Sequence, residues 1–355
     1  MFRTIEWLDD GRVQFVDQTR LPLEIKFIVT TSHERIADAI RAMEIRGAPA
    51  IGAAAGMGMA LAAVESNAQT KDELLRHLER AARTLNTRPT AVNLTWATDR
   101  MLKAARGLDG TASEIMSALI DEAKEIAEED VRMCKRIGEN ALPLIRSGWT
   151  IQTICNAGSL ATVHLGTVGA VVRMAYEKYS NIKVYAAETR PRQQGARLTV
   201  FEFMQDGIDT TLITDGMIGT VFREKRVDCC VVGADRILRT GHVTNKIGTY
   251  TMAIVAKHHR IPFYVAAPTS TIDMATRPED VVIEERHPDE VRIINGQYVT
   301  VPTAKVYNPG FDITPPSLIS AIITDRGVVR RPNEERMKQL FDSSAPGRVK
   351  ASSCD

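Results

Sequence analysis

The chain has no block of like charges and few aromatic residues. Its 45 lysine and arginine residues balance 44 aspartate and glutamate residues, and aromatic residues make up 5% of the 355 positions. Proteins that bind nucleic acid or an anionic membrane surface usually concentrate basic residues in runs or patches. We therefore expect neither nucleic acid nor a membrane as a partner.

We also predict that no apolar stretch of the sequence is long enough to span a bilayer. Residues 1–10 lack the basic-then-apolar order of a signal peptide, so the expected location is the cytoplasm. The odd number of cysteines and the absence of a repeated metal-ligand spacing argue against a disulfide framework or a zinc site. We expect reduced thiols at Cys134, Cys155, Cys229, Cys230 and Cys354.

Common nucleotide-binding loops are absent as well. Residues 233–236 (Gly-Ala-Asp-Arg) lack the glycine spacing of a dinucleotide-binding loop, and the pattern Gly-x-x-x-x-Gly-Lys-Ser/Thr does not occur. Nothing in the sequence therefore favours a nucleotide ligand, and we expect no metal or redox cofactor.

The chain is longer than one hydrophobic core usually organises, so two domains are expected. We predict an α/β protein: a mainly helical N-terminal domain with a small β-hairpin (1–112), a linking helix (113–147) and a Rossmann-like parallel-sheet domain (148–342). The small, polar segment 343–355 is expected to be a mobile tail.

Hydrophobic periodicity predicts the individual elements. In the first half, the hairpin is expected at 3–7 and 13–17, and helices at 32–44, 50–65, 71–85, 90–105 and 113–145. In the second half, β-branched runs alternate with helical stretches, which is typical of a parallel sheet. These strands are expected at 150–154, 182–187, 210–214, 227–232 and 262–267, with a second hairpin about Asn295-Gly296 and an ordered loop at 308–316 before a last helix.

Two of the predicted strands end close to reactive side chains. Cys155 follows the strand at 150–154, and Asp235 follows the strand at 227–232 after Gly-Ala. Because the carboxyl ends of parallel strands meet at one edge, where α/β folds bind small ligands, we expect both side chains in one site.

Each reactive residue has a functional and a structural interpretation. Cys155 could be a nucleophile, a base or a buried spectator. Apolar neighbours would raise the pKa of Asp235 and suit it to proton donation, but a helix cap or an ion pair with Arg236 explains it equally well. Cys229 and Cys230 lie within an apolar strand, where packing is the favoured interpretation.

Basic and amide side chains at element ends indicate an anionic ligand. Arg46 precedes Gly47-Ala48-Pro49 at a helix start, where backbone N–H groups attract phosphate. Arg88 and Arg190 each stand before proline, and either could clamp phosphate or pair with a surface carboxylate. Further candidates open helices beside strand ends: Gln194, Asn245 and Lys246.

Taken together, these motifs resemble the methylthioribose-1-phosphate isomerases, whose superfamily also holds ribose-1,5-bisphosphate isomerases and the regulatory subunits of the initiation-factor-2B exchange complex. The resemblance runs from about residue 5 to residue 329. It rests on Ile45-Arg-Gly-Ala-Pro-Ala-Ile-Gly52, Arg88-Pro-Thr-Ala-Val-Asn-Leu94, Thr153-Ile-Cys-Asn-Ala-Gly158, Glu188-Thr-Arg-Pro191, Gln194-Gly195, Val232-Gly-Ala-Asp-Arg236 and Asn245-Lys-Ile-Gly-Thr249.

The resemblance implies roles for particular residues. Asp235 would be the proton donor and Cys155 the second catalytic residue. The implied substrate contacts are Arg46, Gly47, Ala48, Arg88, Gln194, Asn245 and Lys246. The sequence departs from the usual pattern at Ala187, where many bacterial members carry aspartate, and at Gly216 in Asp215-Gly-Met217.

The implied activity is isomerisation of 5-methylthioribose 1-phosphate to 5-methylthioribulose 1-phosphate in methionine salvage, by a homodimer. Ribose-1,5-bisphosphate isomerase, a related 5-deoxyribose-1-phosphate isomerase and a non-catalytic regulatory subunit remain alternatives. A methylthio group needs an apolar pocket, whereas a second phosphate needs a cationic one. Trp96, Met57 and Met101 favour the apolar pocket.

Overall fold

The computed structural model describes residues 2–87 and 92–342. Arg88 and the predicted tail at 343–355 therefore lie outside the described residues. The chain divides into two compact units. Unit 1 holds the described residues of Met1–Arg132 with Asn156–Gly169 and Ala196–Gly207; unit 2 holds Met133–Cys155, Ala170–Gly195 and the described residues from Ile208 onward. The domain boundaries predicted from the sequence, near residues 112 and 147, stay a proposal.

Unit 1 begins with a small antiparallel sheet and continues with helices. The predicted hairpin is confirmed, with Trp7 opposite Val13, and a third strand that the sequence did not indicate extends it. The elements are β1 (Ile5–Trp7), β2 (Val13–Val16), β3 (Phe27–Thr30), α1 (His33–Arg41), α2 (Ala48–Glu65), α3 (Lys71–Leu85), α4 (Val92–Gly107) and α5 (Ala112–Ala141).

Capping residues fix where these helices begin. The Ser32 side chain accepts the Arg35 N–H at the start of α1, and Thr70 forms a capping box with Glu73 at the start of α3. Both satisfy backbone donors that have no partner within the helix. Pro49 lies in the first turn of α2, where its missing N–H costs nothing.

Helix α2 forms the centre of the core of unit 1. It is 18 residues long with a mean hydropathy of 1.4, so by length and composition it passes as a candidate membrane span. The expectation that no run would reach that length was wrong. Because 78% of the helix is buried inside the chain, packing against α1, α3 and α4 accounts for its apolar composition.

Unit 2 is built on a seven-stranded sheet, and the predicted Rossmann-like character is confirmed. The remaining elements are β4 (Thr150–Thr153), α6 (Thr167–Tyr179), β5 (Lys183–Ala187), α7 (Val200–Gln205, in unit 1), β6 (Asp209–Ile213), α8 (Ile218–Arg223), β7 (Cys229–Val232), β8 (Arg236–Leu238), β9 (Val243–Lys246), α9 (Thr249–His258), β10 (Phe263–Ala266), β11 (Ile272–Asp273), α10 (Asp289–Arg292), β12 (Ile293–Ile294), β13 (Gln297–Tyr298), β14 (Phe311–Thr314), β15 (Ala321–Thr324), β16 (Gly327–Arg330) and α11 (Glu334–Asp342). The strand order is β16-β15-β10-β7-β4-β5-β6, and only the edge strand β16 runs antiparallel to its neighbour.

The sequence missed a second, smaller sheet in this unit, with the order β11-β8-β9-β14. The predicted loop at 308–316 contains β14, and β15 and β16 follow it before the last helix, so that prediction was wrong. The prolines lie outside Phe311–Thr314, which leaves this strand free to pair antiparallel with β9. The hairpin about Asn295-Gly296 is confirmed, with φ of 50° and 78° at its two turn residues.

Candidate active site

Cys155 and Asp235 lie beyond the carboxyl ends of two neighbouring parallel strands of unit 2. Strand β4 pairs directly with β7, with Gln152 opposite Cys230. Cys155 comes two residues after β4 ends, and Asp235 comes three residues after β7 ends. The topology therefore places both residues at the carboxyl edge where the sequence predicted a site.

The backbone at Cys155 adopts a left-handed conformation. Its φ is 66°, and its N–H donates to the hydroxyl of Thr189 at 2.7 Å. Thr189 is itself left-handed, with φ of 67°, which is rare for a β-branched residue. Each such residue costs about 1–3 kcal/mol, and strain of this kind concentrates at functional sites. The half-buried Cys155 is thus held in a specific conformation rather than simply filling the core.

Asp215 secures the turn that carries Thr189. Its two carboxylate oxygens accept the N–H groups of Thr189 and Arg190 at 2.9 and 2.7 Å. The Arg190 guanidinium donates to the carbonyls of Pro191 and Val291, so the structure uses it within the chain rather than as the phosphate clamp that the sequence allowed. The sequence assigned no role to Thr189 or Asp215, although Thr189 lies within a motif that carries the resemblance and Asp215 lies beside Gly216, where the sequence departs from the usual pattern.

Asp235 is exposed, contrary to the expected apolar surroundings. It precedes strand β8 rather than a helix, so the helix-cap interpretation was wrong, and Arg236 forms an ion pair with Asp273 at 3.5 Å. The Asp235 N–H donates to the Thr244 carbonyl at 2.9 Å. This bond ties Asp235 to β9, one residue before Asn245. A raised pKa for Asp235 stays a prediction.

Asn245 and Lys246 are buried at the end of β9. The Asn245 side-chain amide donates to the Thr249 hydroxyl at 3.0 Å. The Lys246 ammonium donates to the Gly310 carbonyl at 2.9 Å and lies 4.4 Å from the centre of the Phe311 ring. Gly310 and Phe311, at the start of strand β14, therefore orient the lysine through a carbonyl dipole and a cation–π contact. Its predicted contact with a substrate phosphate stays a prediction.

Asp312, also on β14, caps the N-terminus of helix α9 with its side chain. Its carboxylate accepts the N–H groups of Gly248 and Tyr250 at 2.7 and 3.1 Å. Burial raises the pKa of Asp312 to about 6, although these two hydrogen bonds and the Lys246 charge oppose that rise. The sequence did not reveal this residue, because the contact joins positions that are 64 residues apart.

Asp312 should make stability depend on pH. Because the pKa of Asp312 is higher in the folded chain than in the unfolded chain, the folded state binds more protons between pH 4 and pH 6. Its contribution is therefore full below about pH 4 and is lost as pH rises through 6. The free energy of unfolding of wild type, minus that of Asp312→Asn, should fall by about 2–3 kcal/mol between pH 4 and pH 7. Urea titrations at each pH measure it, and a flat difference would contradict the assignment.

Arg46 is oriented within unit 1 by Asn156, the residue that follows Cys155 in the chain. Its guanidinium donates to the Asn156 side-chain oxygen at 2.7 Å and to the Asn156 carbonyl at 3.0 Å. Gly47, which precedes α2, has φ of 91°, and a Cβ there would lie 2.4 Å from the Ala161 carbonyl oxygen. Only glycine allows the backbone to come this close to Ala161. The N–H groups at the start of α2, including that of Ala48, follow Arg46 directly in the chain.

Glu202, on α7, organises the segment after Cys155. Its buried carboxylate accepts the backbone N–H groups of Ser159 and Leu160 at 2.9 and 2.7 Å, and the Asn156 side-chain amide at 3.3 Å. A Cβ on Gly158 would lie 1.8 Å from this carboxylate, so the glycine makes room for it. No motif marks Glu202 in the sequence, and the sequence interpretation missed it.

Replacing Glu202 with glutamine should destabilise the chain. The glutamine NH₂ cannot accept a hydrogen bond, so a buried N–H loses its charged acceptor, and we expect a loss of about 2–3 kcal/mol. Chemical denaturation measures the free energy of unfolding. Glu79→Gln is the matched control, because Glu79 is 42% exposed in a surface ion pair, and we expect less than about 0.5 kcal/mol there. Equal losses in both variants would contradict the role given to Glu202.

Gln194 and Gly195 open the π-helical turn at 195–199. Gln194 is buried, and its side-chain oxygen has no hydrogen-bond partner among residues 2–87 and 92–342. A buried acceptor without a partner suits a bound sugar hydroxyl, which can donate a hydrogen bond to it. The substrate contact predicted for Gln194 stays a prediction. A Cβ on Gly195 would lie 1.8 Å from the Ala187 carbonyl oxygen, so the turn needs glycine there.

The apolar pocket predicted from Met57 and Met101 was wrong. Both side chains are almost fully buried in the helical core of unit 1. Trp96 is 43% exposed, and the guanidinium of Arg100 lies 5.4 Å from its ring centre. The three residues therefore give no support to a methylthio pocket.

The thiols of Cys229 and Cys230 are fully buried on β7. Burial raises the pKa of both thiols, which keeps them protonated and unreactive. Packing is their role, as the sequence interpretation favoured. Within the described part of the chain, no three His, Cys, Asp or Glu side chains form a candidate metal site.

Known proteins resemble this chain in sequence and in fold. The model of the "Initiation factor 2 subunit family" matches residues 44–331. A methylthioribose-1-phosphate isomerase from Carboxydothermus hydrogenoformans is 50% identical over 341 residues, which is 95% of this chain and 98% of that protein.

Two crystal structures cover almost the whole chain. The 5-methylthioribose 1-phosphate isomerase of Pyrococcus horikoshii OT3 has 45% identity and a TM-score of 0.91, over 96% of each chain. The translation initiation factor eIF-2B subunit delta of A. fulgidus has 46% identity and a TM-score of 0.89, over 96% of this chain and all of that one. On the match to the family model and on these identities, the chain belongs to the initiation factor 2 subunit family.

Proposed function

We propose that this protein is an aldose–ketose isomerase that converts 5-methylthioribose 1-phosphate to 5-methylthioribulose 1-phosphate in methionine salvage. One observation supports the proposal most. Cys155 and Asp235 follow adjacent parallel strands at one sheet edge, in a chain that is half identical over nearly its full length to a protein named for that isomerase activity. A thiol and a carboxyl are the two groups that this reaction needs.

The substrate explains why an acid is required. Phosphate on C1 blocks the anomeric oxygen, so the sugar cannot open to a free aldehyde. Instead, Asp235 donates its proton to the ring oxygen while the bond between that oxygen and C1 breaks. The phosphate stays attached to C1, and the electron pair of the broken bond goes to the new hydroxyl group.

Two routes lead from that point to the ketose. In the first, the Cys155 thiolate removes the C2 proton and an enol phosphate forms. Protonation at C1 and loss of the C2 hydroxyl proton then give the 2-keto product. In the second, hydride moves from C2 to C1, the C2 hydroxyl loses its proton, and Cys155 stabilises the charged intermediate. Substrate deuterated at C2 distinguishes them, because a hydride shift keeps the label at C1 and a proton route can exchange it with solvent.

The remaining predicted residues hold the anionic end of the substrate. Arg46, whose guanidinium Asn156 orients, suits a phosphate, and so do the N–H groups of Gly47 and Ala48 at the start of α2. Further substrate contacts are proposed at Arg88, Gln194, Asn245 and Lys246. Cations that grip the phosphate would also suppress its elimination from the enol intermediate.

The decisive experiment incubates the purified chain with 5-methylthioribose 1-phosphate and measures ketose formation. Ribose 1,5-bisphosphate and 5-deoxyribose 1-phosphate serve as competing substrates. We expect the highest kcat/KM with the methylthio sugar. Folded protein that forms no ketose from it would reject the proposal, and a preference for the bisphosphate would move the assignment to the related isomerase.

A second candidate function is that of a non-catalytic regulatory subunit. It is favoured by the 46% identity to the A. fulgidus protein, which is described as an initiation-factor subunit. Retention of Cys155 and Asp235 favours the isomerase. A regulatory subunit would show no isomerase turnover and would bind the partner subunits of an exchange complex in a pull-down.

We also propose that the protein acts as a homodimer in the cytoplasm, as the family resemblance implies. Large apolar side chains on unit 2 are exposed in the single chain, among them Val282 at 92% and Tyr307 at 81%. Such exposure is common where a second subunit packs. Light scattering on the eluting protein would test it, because a monomer at micromolar concentration would contradict the dimer.

A further inference from the structure

We propose that Thr189 is a positioning residue for Cys155: its hydroxyl holds the Cys155 backbone in the left-handed conformation that aims the thiol at the substrate. The catalytic part of this inference rests on the proposed isomerase function. The structural part does not, because it concerns one hydrogen bond between two residues of unit 2. Neither the resemblance nor the comparisons assign a role to Thr189.

The Thr189 hydroxyl has a fixed orientation. It is fully buried and donates its proton to the Ala187 carbonyl at 3.0 Å, at the carboxyl end of β5. Its oxygen then has lone pairs for the Cys155 N–H at 2.7 Å. A hydroxyl that donates in one direction and accepts in another links the end of β5 to Cys155, two residues beyond the end of the neighbouring strand β4.

The turn that carries this hydroxyl is held from its other side. Asp215 accepts the N–H groups of Thr189 and Arg190, which stabilises Thr189 at a φ of 67° that its β-branched side chain disfavours. Gly195 leaves the space that the arrangement needs, since a Cβ there would lie 3.0 Å from the Thr189 hydroxyl oxygen. The Asp215 carboxylate and Gly195 thus keep the Thr189 hydroxyl oxygen in one position.

The consequence concerns the direction of the Cys155 side chain. At a φ of 66° the Cα–Cβ bond points differently from that of an extended residue, so the sulfur position depends on keeping that φ. Without its acceptor, the Cys155 N–H would favour a return to an ordinary φ, and the thiol would move with it. A displacement of about 1 Å at a reacting group can cost 10²-fold in rate.

The test compares Thr189→Val with Thr189→Ser. Valine keeps the branched shape and removes the hydroxyl, whereas serine keeps the hydroxyl. We expect Thr189→Val to lower kcat by about 10²-fold with KM within about threefold, and Thr189→Ser to stay within about fivefold of wild type. Thermal unfolding by circular dichroism confirms that each variant is folded, and Thr189→Ala replaces the valine variant if that one does not fold.

A second measurement needs no substrate. Deuterium uptake by a peptide that covers residues 154–156 should be slow in wild type and Thr189→Ser, and at least about tenfold faster in Thr189→Val, because the Cys155 amide loses its acceptor. Unchanged uptake in Thr189→Val, equal kcat losses in the valine and serine variants, or an effect on KM alone would each overturn the proposal. If wild type shows no turnover, the proposed function fails, and uptake alone then decides whether Thr189 holds Cys155.

Discussion

Asp235→Asn is expected to lower kcat by about 10²–10⁴-fold while the chain stays folded. Asparagine has nearly the same shape but no acidic proton, and general acid catalysis contributes about that factor. Because Asp235 is exposed and asparagine keeps its size, the free energy of unfolding should change by less than about 0.5 kcal/mol. Steady-state kinetics and urea denaturation measure the two effects.

The control for this variant is Asp209→Asn. Asp209 lies on β6, is 65% exposed and forms a surface ion pair with Lys183. The kcat of Asp209→Asn should therefore stay within about twofold of wild type. A kcat for Asp235→Asn within threefold of wild type would place the ring-oxygen acid on another residue. A large loss of stability would instead give Asp235 a structural role.

Cys155→Ser should lower kcat by at least about 10²-fold. Serine is nearly isosteric and keeps the backbone N–H that donates to Thr189, so the turn should be preserved. Its hydroxyl does not ionise near neutral pH, however, so it can neither remove the C2 proton nor stabilise a positive charge as a thiolate does. Turnover of the substrate deuterated at C2 shows which of these two functions is lost.

Cys134→Ala serves as the matched control, because it removes a buried thiol from helix α5. We expect it to lower the melting temperature slightly and to leave kcat/KM within about twofold of wild type. If Cys155→Ser kept full turnover, the thiol would be dispensable and the reaction would need another base. Loss in both variants would indicate a general effect on folding.

The local elements were predictable because their signals are short-range. Ser32 and the pair Thr70 and Glu73 mark helix starts with their own side chains, and the turn at Asn295-Gly296 determines a hairpin. The alternation of β-branched runs and helical stretches after residue 150 predicted the parallel strands β4 to β7 and β10 to within two residues. Caps and turns depend on neighbouring residues, and the strand and helix alternation depends on periodicity, so both can be recognised in the sequence alone.

The smaller sheet was not predictable in the same way. Strand β14 has a proline-rich context that favours a loop, and it is a strand because β9 lies beside it, 65 or more residues earlier in the chain. For Met57 and Met101 the error was the opposite: the sequence suggested a feature that the structure does not contain. Their composition suggested a ligand pocket, but methionine on a helix is as well suited to a core, and only packing could distinguish the two.

The sequence by itself determined the family, the α/β order of elements and the pair Cys155 and Asp235, because these follow from residue types at fixed spacings. Only the tertiary structure decided how the candidate site is held. The left-handed φ of Cys155, the Thr189 hydroxyl that accepts its N–H, the buried carboxylate of Glu202 and the half-buried carboxylate of Asp312 all depend on contacts between residues distant in sequence. A hydrogen bond across tens of residues has no local pattern, so it can be recognised only when the chain is folded.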